Sequence, residues 1–335
     1  MNIESDMTPL DKAQTMLIRY PRFEELHQSI RECLVMSHYA GEPHCMSLEG
    51  VTGAGKSTLI NTYLAAFPRY ETETGSQIPI FYVPTPSPVT VKGMAATMLA
   101  ALGDPAAYQG ALWTMNTRLI HFLKVCRVQL VILDDFQHLV DAQTNRVLRE
   151  VSNWLKTLIK ETRLPFLVTG IEGEVVPILE TNSQLSRLFA ARETLEPFAW
   201  DNQDPQTQQN FARFVHYAEQ GLGLMLSAEL PRMELLYRLY AATNGVVGNM
   251  MNLLRQSTYL AQQTGQTTLT LAILSQAFRK RLGQHVGKPD PFLTASDPLF
   301  TVPQPLATDP PDSTGQRRWR RWPQSPSVAE VLKTR

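Results

Sequence analysis

The run Gly50-Val51-Thr52-Gly53-Ala54-Gly55-Lys56-Ser57 sets glycines, a lysine and a hydroxyl at the spacing G-x-x-x-x-G-K-[ST], and that spacing builds a phosphate cradle. Glycines let main-chain N–H groups close on phosphate oxygens, and the N-terminus of a following helix adds positive potential. Lys56 is expected to reach the outer phosphates, Ser57 to offer its hydroxyl to Mg2+, and Thr58 to complete the nucleotide-binding loop. Further along, Leu130-Val-Ile-Leu runs into Asp134-Asp135. Apolar residues followed by two acids put carboxylates at the C-terminal end of a central strand, where open α/β sheets bind ligands. Asp134 is expected to hold Mg2+ through water, and Asp135 to polarise an attacking water. The two motifs call for ATP and Mg2+ as cofactors.

Three further positions carry chemistry. Thr169 ends an apolar run and either senses a γ-phosphate or makes a local hydrogen bond at a strand end. Gln184-Leu-Ser-Arg187-Leu-Phe189-Ala-Ala-Arg192 presents two arginines ahead of a last strand. Arg187 is the first choice, and Arg192 the second, for a cation that reaches a neighbouring subunit's γ-phosphate; the alternative is a surface ion pair of little energetic consequence. Near the C-terminus, Arg317-Arg-Trp319-Arg-Arg321-Trp322 interleaves cations with indoles. Such a cluster neutralises phosphates, stacks on bases, docks on a partner protein, or is simply solvated; flanking prolines argue against a membrane-surface helix.

These residues need elements to hold them. Phe23, Leu26, Ile30 and Leu34 recur at helical spacing between Arg22 and Tyr39, and Gly41 with Pro43 ends that helix. Short apolar runs at Cys45 to Leu48, Ile78 to Val83, Val128 to Leu133 and Leu164 to Thr169 read as buried strands, with a fifth near Glu193 to Leu195. Helices are expected between them at Lys56 to Phe67, Val89 to Leu102, Ala111 to Lys124 and Asn145 to Glu161. The alternation predicts an α/β fold, a five-stranded parallel sheet sandwiched by helices. After Pro197 the strand signal fades, and Gln206 to Gly221, Ala228 to Ala241, Val246 to Gln263 and Leu271 to Arg281 read as helices of a smaller domain. The expected division is 1–44 as a helical lead-in, 45–197 as the nucleotide-binding domain, 198–282 as a helical lid and 283–335 as a flexible tail. That tail holds nine of the 23 prolines, too proline-rich and aperiodic to offset the entropy of ordering itself.

Bulk properties narrow the class. The 335 residues are 43% apolar and 19% charged, which suits a globular chain with a real core. The formal charge is zero, so any nucleic-acid contact must come from a local cluster of cations. Cys33, Cys45 and Cys126 lie far apart with no C-x-x-C pair, which suggests neither disulfides nor zinc and fits a reducing cytoplasm. No apolar leader and no run approaching about 18 apolar residues is present, so neither export nor membrane partners are expected.

Several stretches line up together: the phosphate loop, Ile78-Pro-Ile-Phe-Tyr-Val-Pro-Thr-Pro-Ser-Pro-Val-Thr, Leu99-Ala-Ala-Leu-Gly-Asp-Pro, Leu133-Asp-Asp-Phe-Gln-His138, Gln184-Leu-Ser-Arg187 and Thr243-Asn-Gly-Val-Val-Gly248. From about residue 15 to 282 the chain resembles the TniB/TnsC family, AAA+ P-loop NTPases encoded by transposons. The resemblance implies an ATP switch that assembles with itself as a filament or ring on double-stranded DNA. It implies as partners a target-selector protein of the TniQ/TnsD type and a transposase. Family members grip the DNA backbone after the second strand and at the start of a following helix, which carries over to Lys92, Thr90 and, less firmly, Gln109; an exposed helix-start lysine is the plainer reading of Lys92. Two departures matter. Asp135 stands where AAA+ proteins usually carry Glu, which bears on hydrolysis rather than binding. Asn249 stands where relatives often place a sensor arginine contacting nucleotide, which predicts slow hydrolysis and a long-lived ATP-bound assembly. Rival readings are an ATP-binding scaffold with little turnover, and an AAA+ ATPase of secretion or replication.

Overall fold

The computed structural model describes residues 8–73, 75–87, 90–139, 145–283 and 289–293. Its centre is a sheet of five strands, β1 (Met46–Glu49), β2 (Ile80–Pro84), β3 (Leu130–Asp134), β4 (Phe166–Gly170) and β5 (Ala191–Thr194). The spatial order is β2-β3-β4-β1-β5 and every pairing is parallel. All residues of β1, β3 and β4 are buried, because helices cover both faces; continuous apolar runs are the expected signature of such strands. Strand alternation then divides the core in two. Leu48, Ile80, Ile132 and Leu167 point to one face, and Phe81, Val83, Val131, Leu133, Phe166 and Val168 to the other.

Twelve helices surround the sheet among the described residues: α1 (Pro9–Thr15), α2 (Pro21–Tyr39), α3 (Lys56–Ala66), α4 (Val91–Leu102), α5 (Leu112–Val125), α6 (Asn145–Thr162), α7 (Val175–Glu180), α8 (Ser183–Leu188), α9 (Pro205–Leu222), α10 (Arg232–Thr243), α11 (Val247–Gln263) and α12 (Leu271–Arg281). The first face packs on residues of α2, α3 and α9 to α12, and the second on α4 to α8. The helices after Pro197 therefore share an apolar cluster with the sheet, so the change of element type there is not a gap in the core. No described helix is long and apolar enough to cross a membrane. Cys33, Cys45 and Cys126 are free and buried.

Several elements were not expected. α1 begins with Thr8 and Asp11 satisfying each other's backbone amides in a capping box. α7 and α8 span six residues each, too few to show a helical period. A hairpin pairs Tyr70–Thr72 with Gly75–Gln77, and Met225–Leu226 lies parallel to Thr268–Leu269. The tail expected from residue 283 also requires correction at Asp290–Leu293, which docks on the helices. Phe292 is 2% exposed and meets Phe278 edge-on. The buried Arg238 guanidinium donates to Pro291 O at 2.9 Å and Leu293 O at 2.7 Å, and Ser275 Oγ donates to Asp290. Apolar burial and these bonds offset the ordering entropy that composition alone suggested would prevail. The Arg317–Trp322 cluster lies outside the described residues.

Candidate nucleotide site

Gly50 leaves the C-terminal end of β1, and its N–H donates to Gly170 O at 3.2 Å. A Cβ there would sit 2.6 Å from Leu195 O, so only glycine fits. Gly53 and Gly55 have φ of 82° and 114°, a left-handed backbone that side chains resist. The loop thereby turns from strand to α3, with Gly55 at its N-cap. Thr52, Gly53, Ser57 and Thr58 are exposed on its rim, Ala54 is buried, and Val51 and Lys56 are half-buried. The Lys56 ammonium folds over the loop, donating to Gly50 O at 2.5 Å and Val51 O at 3.2 Å. Burial holds its pKa below the ordinary lysine value, while the charges of Asp134 and Asp135 pull it back.

Asp134, at the end of β3, is buried and clasped from both neighbouring strands. Thr169 of β4 donates its hydroxyl to Oδ1, Asp135 N–H donates to the same oxygen at 3.0 Å, and Tyr82 of β2 donates its phenol to Oδ2 at 3.1 Å. Burial, and next the Asp134 charge, push the Tyr82 phenol up to about 12, so it stays a donor. Asp135 is exposed with φ 53°, and its Oδ1 accepts from Gln137 Nε2 at 3.1 Å. One carboxylate escaped the sequence reading: Glu49, buried just before the loop, accepts from Val175 N at 2.7 Å and Val176 N at 2.9 Å. It ties the loop to the start of α7. An acid closing an apolar strand was the only available signal.

The start of α11 closes over the loop. Gly248 N–H donates to Gly53 O at 2.8 Å, and a Cβ on Gly248 would meet that oxygen at 2.7 Å. Asn249, one residue on, turns back and donates to Thr243 O at 3.2 Å, so its amide serves the end of α10. Beside the loop, Ile18, Ala54, Thr58, Phe214, Val247 and Met251 line a largely apolar cavity.

The arginines lie at the other end of the sheet. Ala191 pairs with Met46, and Leu188 O accepts from Cys45 N, which sets α8 at the N-terminal end of β1, away from the loop. Arg187 is exposed and pairs only with exposed Glu42 at 2.8 Å among the described residues. Arg192 is tied to Glu180, Ser186 Oγ and Phe189 O. Thr90 caps α4 by accepting from Gly93 N at 2.9 Å, Lys92 is exposed in its first turn, and Gln109 is exposed in the α4–α5 loop. None of these three joins the loop cluster.

The cluster fits a magnesium-bound triphosphate. Its donors are hard oxygens, the Ser57 hydroxyl and the Asp134 carboxylate. A lysine half-withdrawn from water rests on carbonyls that a phosphate would outcompete, and a left-handed glycine loop leads straight into a helix N-terminus. Among the described residues no group of three or more His, Cys, Asp or Glu is placed to hold a metal by itself.

A family profile described as Bacterial TniB protein matches residues 11–199, more than half of the chain. No curated protein matches. Among solved structures, the chain is similar in fold to the Aeropyrum pernix ORC1 protein in complex with DNA, with TM-score 0.54 and 14% identity, covering 78% of this chain and 66% of that one. For the Aeropyrum pernix ORC2 protein in ADPNP-ADP complexes the values are 0.57, 14%, 81% and 71%. For Cdc6p from Pyrobaculum aerophilum they are 0.55, 15%, 79% and 69%. The chain thus spans just under two thirds of the ORC1 protein's length.

Proposed function

This chain belongs to the TniB family of transposon-encoded AAA+ ATPases, and from that premise we propose that it binds Mg2+·ATP, assembles with copies of itself on duplex DNA in that state, and links target selection to transposase recruitment. The observation that carries the proposal is the Gly248–Gly53 contact, which sets the C-terminal helices directly on the phosphate loop. In this reading α9 to α12 form a lid. Main-chain amides from Gly50 to Thr58 and Lys56 would hold the phosphates, the cavity beside Ala54 would take the base, and Ser57 and Asp134 would hold Mg2+. Bound Mg2+ would neutralise charge on the β- and γ-phosphates. Asp135 orients the attacking water and Thr169 reports on the γ-phosphate through Asp134.

Arg187 acts on the nucleotide of a neighbouring copy. Its exposure and its place away from its own loop support that role over Arg192, whose three bonds make it a strut. Lys92 and Gln109 would contact DNA phosphates, with Thr90 as the cap that presents Lys92; such contacts are independent of sequence and weaken with salt. The ORC1 protein's complex with DNA supports duplex DNA as a ligand only by analogy of fold. A fluorescent ATP analogue with Mg2+ tests the core of the proposal: saturable binding is expected for the native chain and loss of binding for Lys56→Ala, whereas equal binding by both contradicts it.

A second reading, a scaffold that binds ATP and turns it over slowly, rests on two observations. Asp135 has a left-handed backbone and its short side chain accepts from Gln137, and Asn249 donates to Thr243 O. Phosphate release with and without DNA separates the two readings; turnover unchanged by Asp135→Asn favours the scaffold.

A further inference from the structure

Strand alternation puts three polar residues on one face of the sheet, with Tyr82 diagonal to Asp134 across β2 and β3. Tyr82, Asp134 and Thr169 stand on the adjacent strands β2, β3 and β4, and their side chains meet at the Asp134 carboxylate. Tyr82 shares its face with Ile132, its partner in register, and Thr169 shares its own with Leu167; both belong to the face that packs against α3 and hence the phosphate loop. An ionised carboxylate offers roughly four lone-pair positions, two on each oxygen. Among the described residues, Oδ1 is filled by the Thr169 hydroxyl and the Asp135 N–H, and Oδ2 receives Tyr82 alone. One acceptor position therefore stays open, on Oδ2, and the donors on both oxygens fix the plane in which it points.

We propose that Tyr82 is a positioning residue for metal binding: its phenol locks the Asp134 carboxylate in the orientation in which it would hold the Mg2+ that arrives with ATP. The proposal deepens the nucleotide-site reading and rests on it. Thr169 and Asp135 N–H hold one carboxylate oxygen, but a carboxylate pinned through one oxygen still pivots. Tyr82 removes that freedom. Partners that orient a metal's ligands typically change metal affinity about 10–100-fold when removed, and the lower end applies because Asp134 acts through water.

Tyr82→Phe keeps the ring and its packing and removes only the donor. The measurement is affinity for a fluorescent, non-hydrolysable ATP analogue, titrated with Mg2+ and repeated in excess chelator. Tyr82→Phe is expected to raise the half-saturating Mg2+ concentration about tenfold while affinity in chelator matches the native chain. An unchanged Mg2+ requirement overturns the proposal. A parallel loss with and without Mg2+ also overturns it, since that marks a general packing role. If the native chain fails to bind the analogue at all, the nucleotide reading itself falls; if the native chain binds and only the Tyr82 split is missing, that reading stands and the role of Tyr82 does not.

Discussion

The Gly248 amide donates to the Gly53 carbonyl at 2.8 Å, with no room between them for a side chain. Any shift of the phosphate loop is therefore felt at the first turn of α11. Gly248→Ala would force a methyl to 2.7 Å from Gly53 O, against backbone rather than a yielding side chain. Overpacking of this kind costs about 1–3 kcal/mol. The expected outcome is a lowered melting temperature together with at least tenfold weaker ATP-analogue binding, read by thermal denaturation and fluorescence titration.

Lys56 has two opposite pH signatures. Its pKa is lowered in the folded chain. Between that lowered value and the ordinary lysine value, the unfolded chain holds a proton that the folded chain has lost, so stability rises with pH across the window. Triphosphate affinity should fall across the same window, because Lys56 is losing its charge. Denaturant melts and analogue binding measured over alkaline pH check both slopes, and Lys56→Met should flatten the stability slope.

Arg187 and Arg192 should behave differently. The exposed Arg187–Glu42 pair adds little stability, so Arg187→Ala should leave the melting temperature and single-copy nucleotide binding unchanged. Turnover by the assembly should drop on the order of 10³-fold. Mixing Arg187→Ala with Lys56→Ala copies should restore part of that activity, since some interfaces then combine an intact loop with an intact arginine. Arg192→Ala should chiefly lower the melting temperature.

Much of this was legible in the sequence, and what was not has a physical cause. The phosphate loop, the Asp134 strand end and the five strands are signalled locally by glycine spacing and apolar runs. The four C-terminal helices are legible to within a few residues of their ends because their apolar periodicity is long. Tyr82 is hidden because Ile78 to Val83 reads as a core strand; its parity with Asp134 becomes visible only when strand order places β2 beside β3. Gly248 closes one of the stretches that carry the family resemblance, but its closeness to Gly53 is a tertiary fact that the sequence does not show. Asp290–Leu293 sits in a proline-rich stretch whose composition argues for disorder, and only the groove holding Phe292 reverses that.

That clasp makes its own prediction. Phe292→Ala should destabilise the chain by about 3–5 kcal/mol, as deletion of a buried aromatic ring does. Ending the chain after Leu293 should leave the melting temperature close to native, whereas ending it after residue 288 should lower it as Phe292→Ala does. Thermal melts of the two truncations compare them directly.

The most direct test of the central claim is duplex DNA binding measured by gel shift with and without a non-hydrolysable ATP analogue. Strong binding that requires the analogue, weakens with salt and disappears for Lys56→Ala is the predicted result. Equal binding in the absence of nucleotide would contradict it.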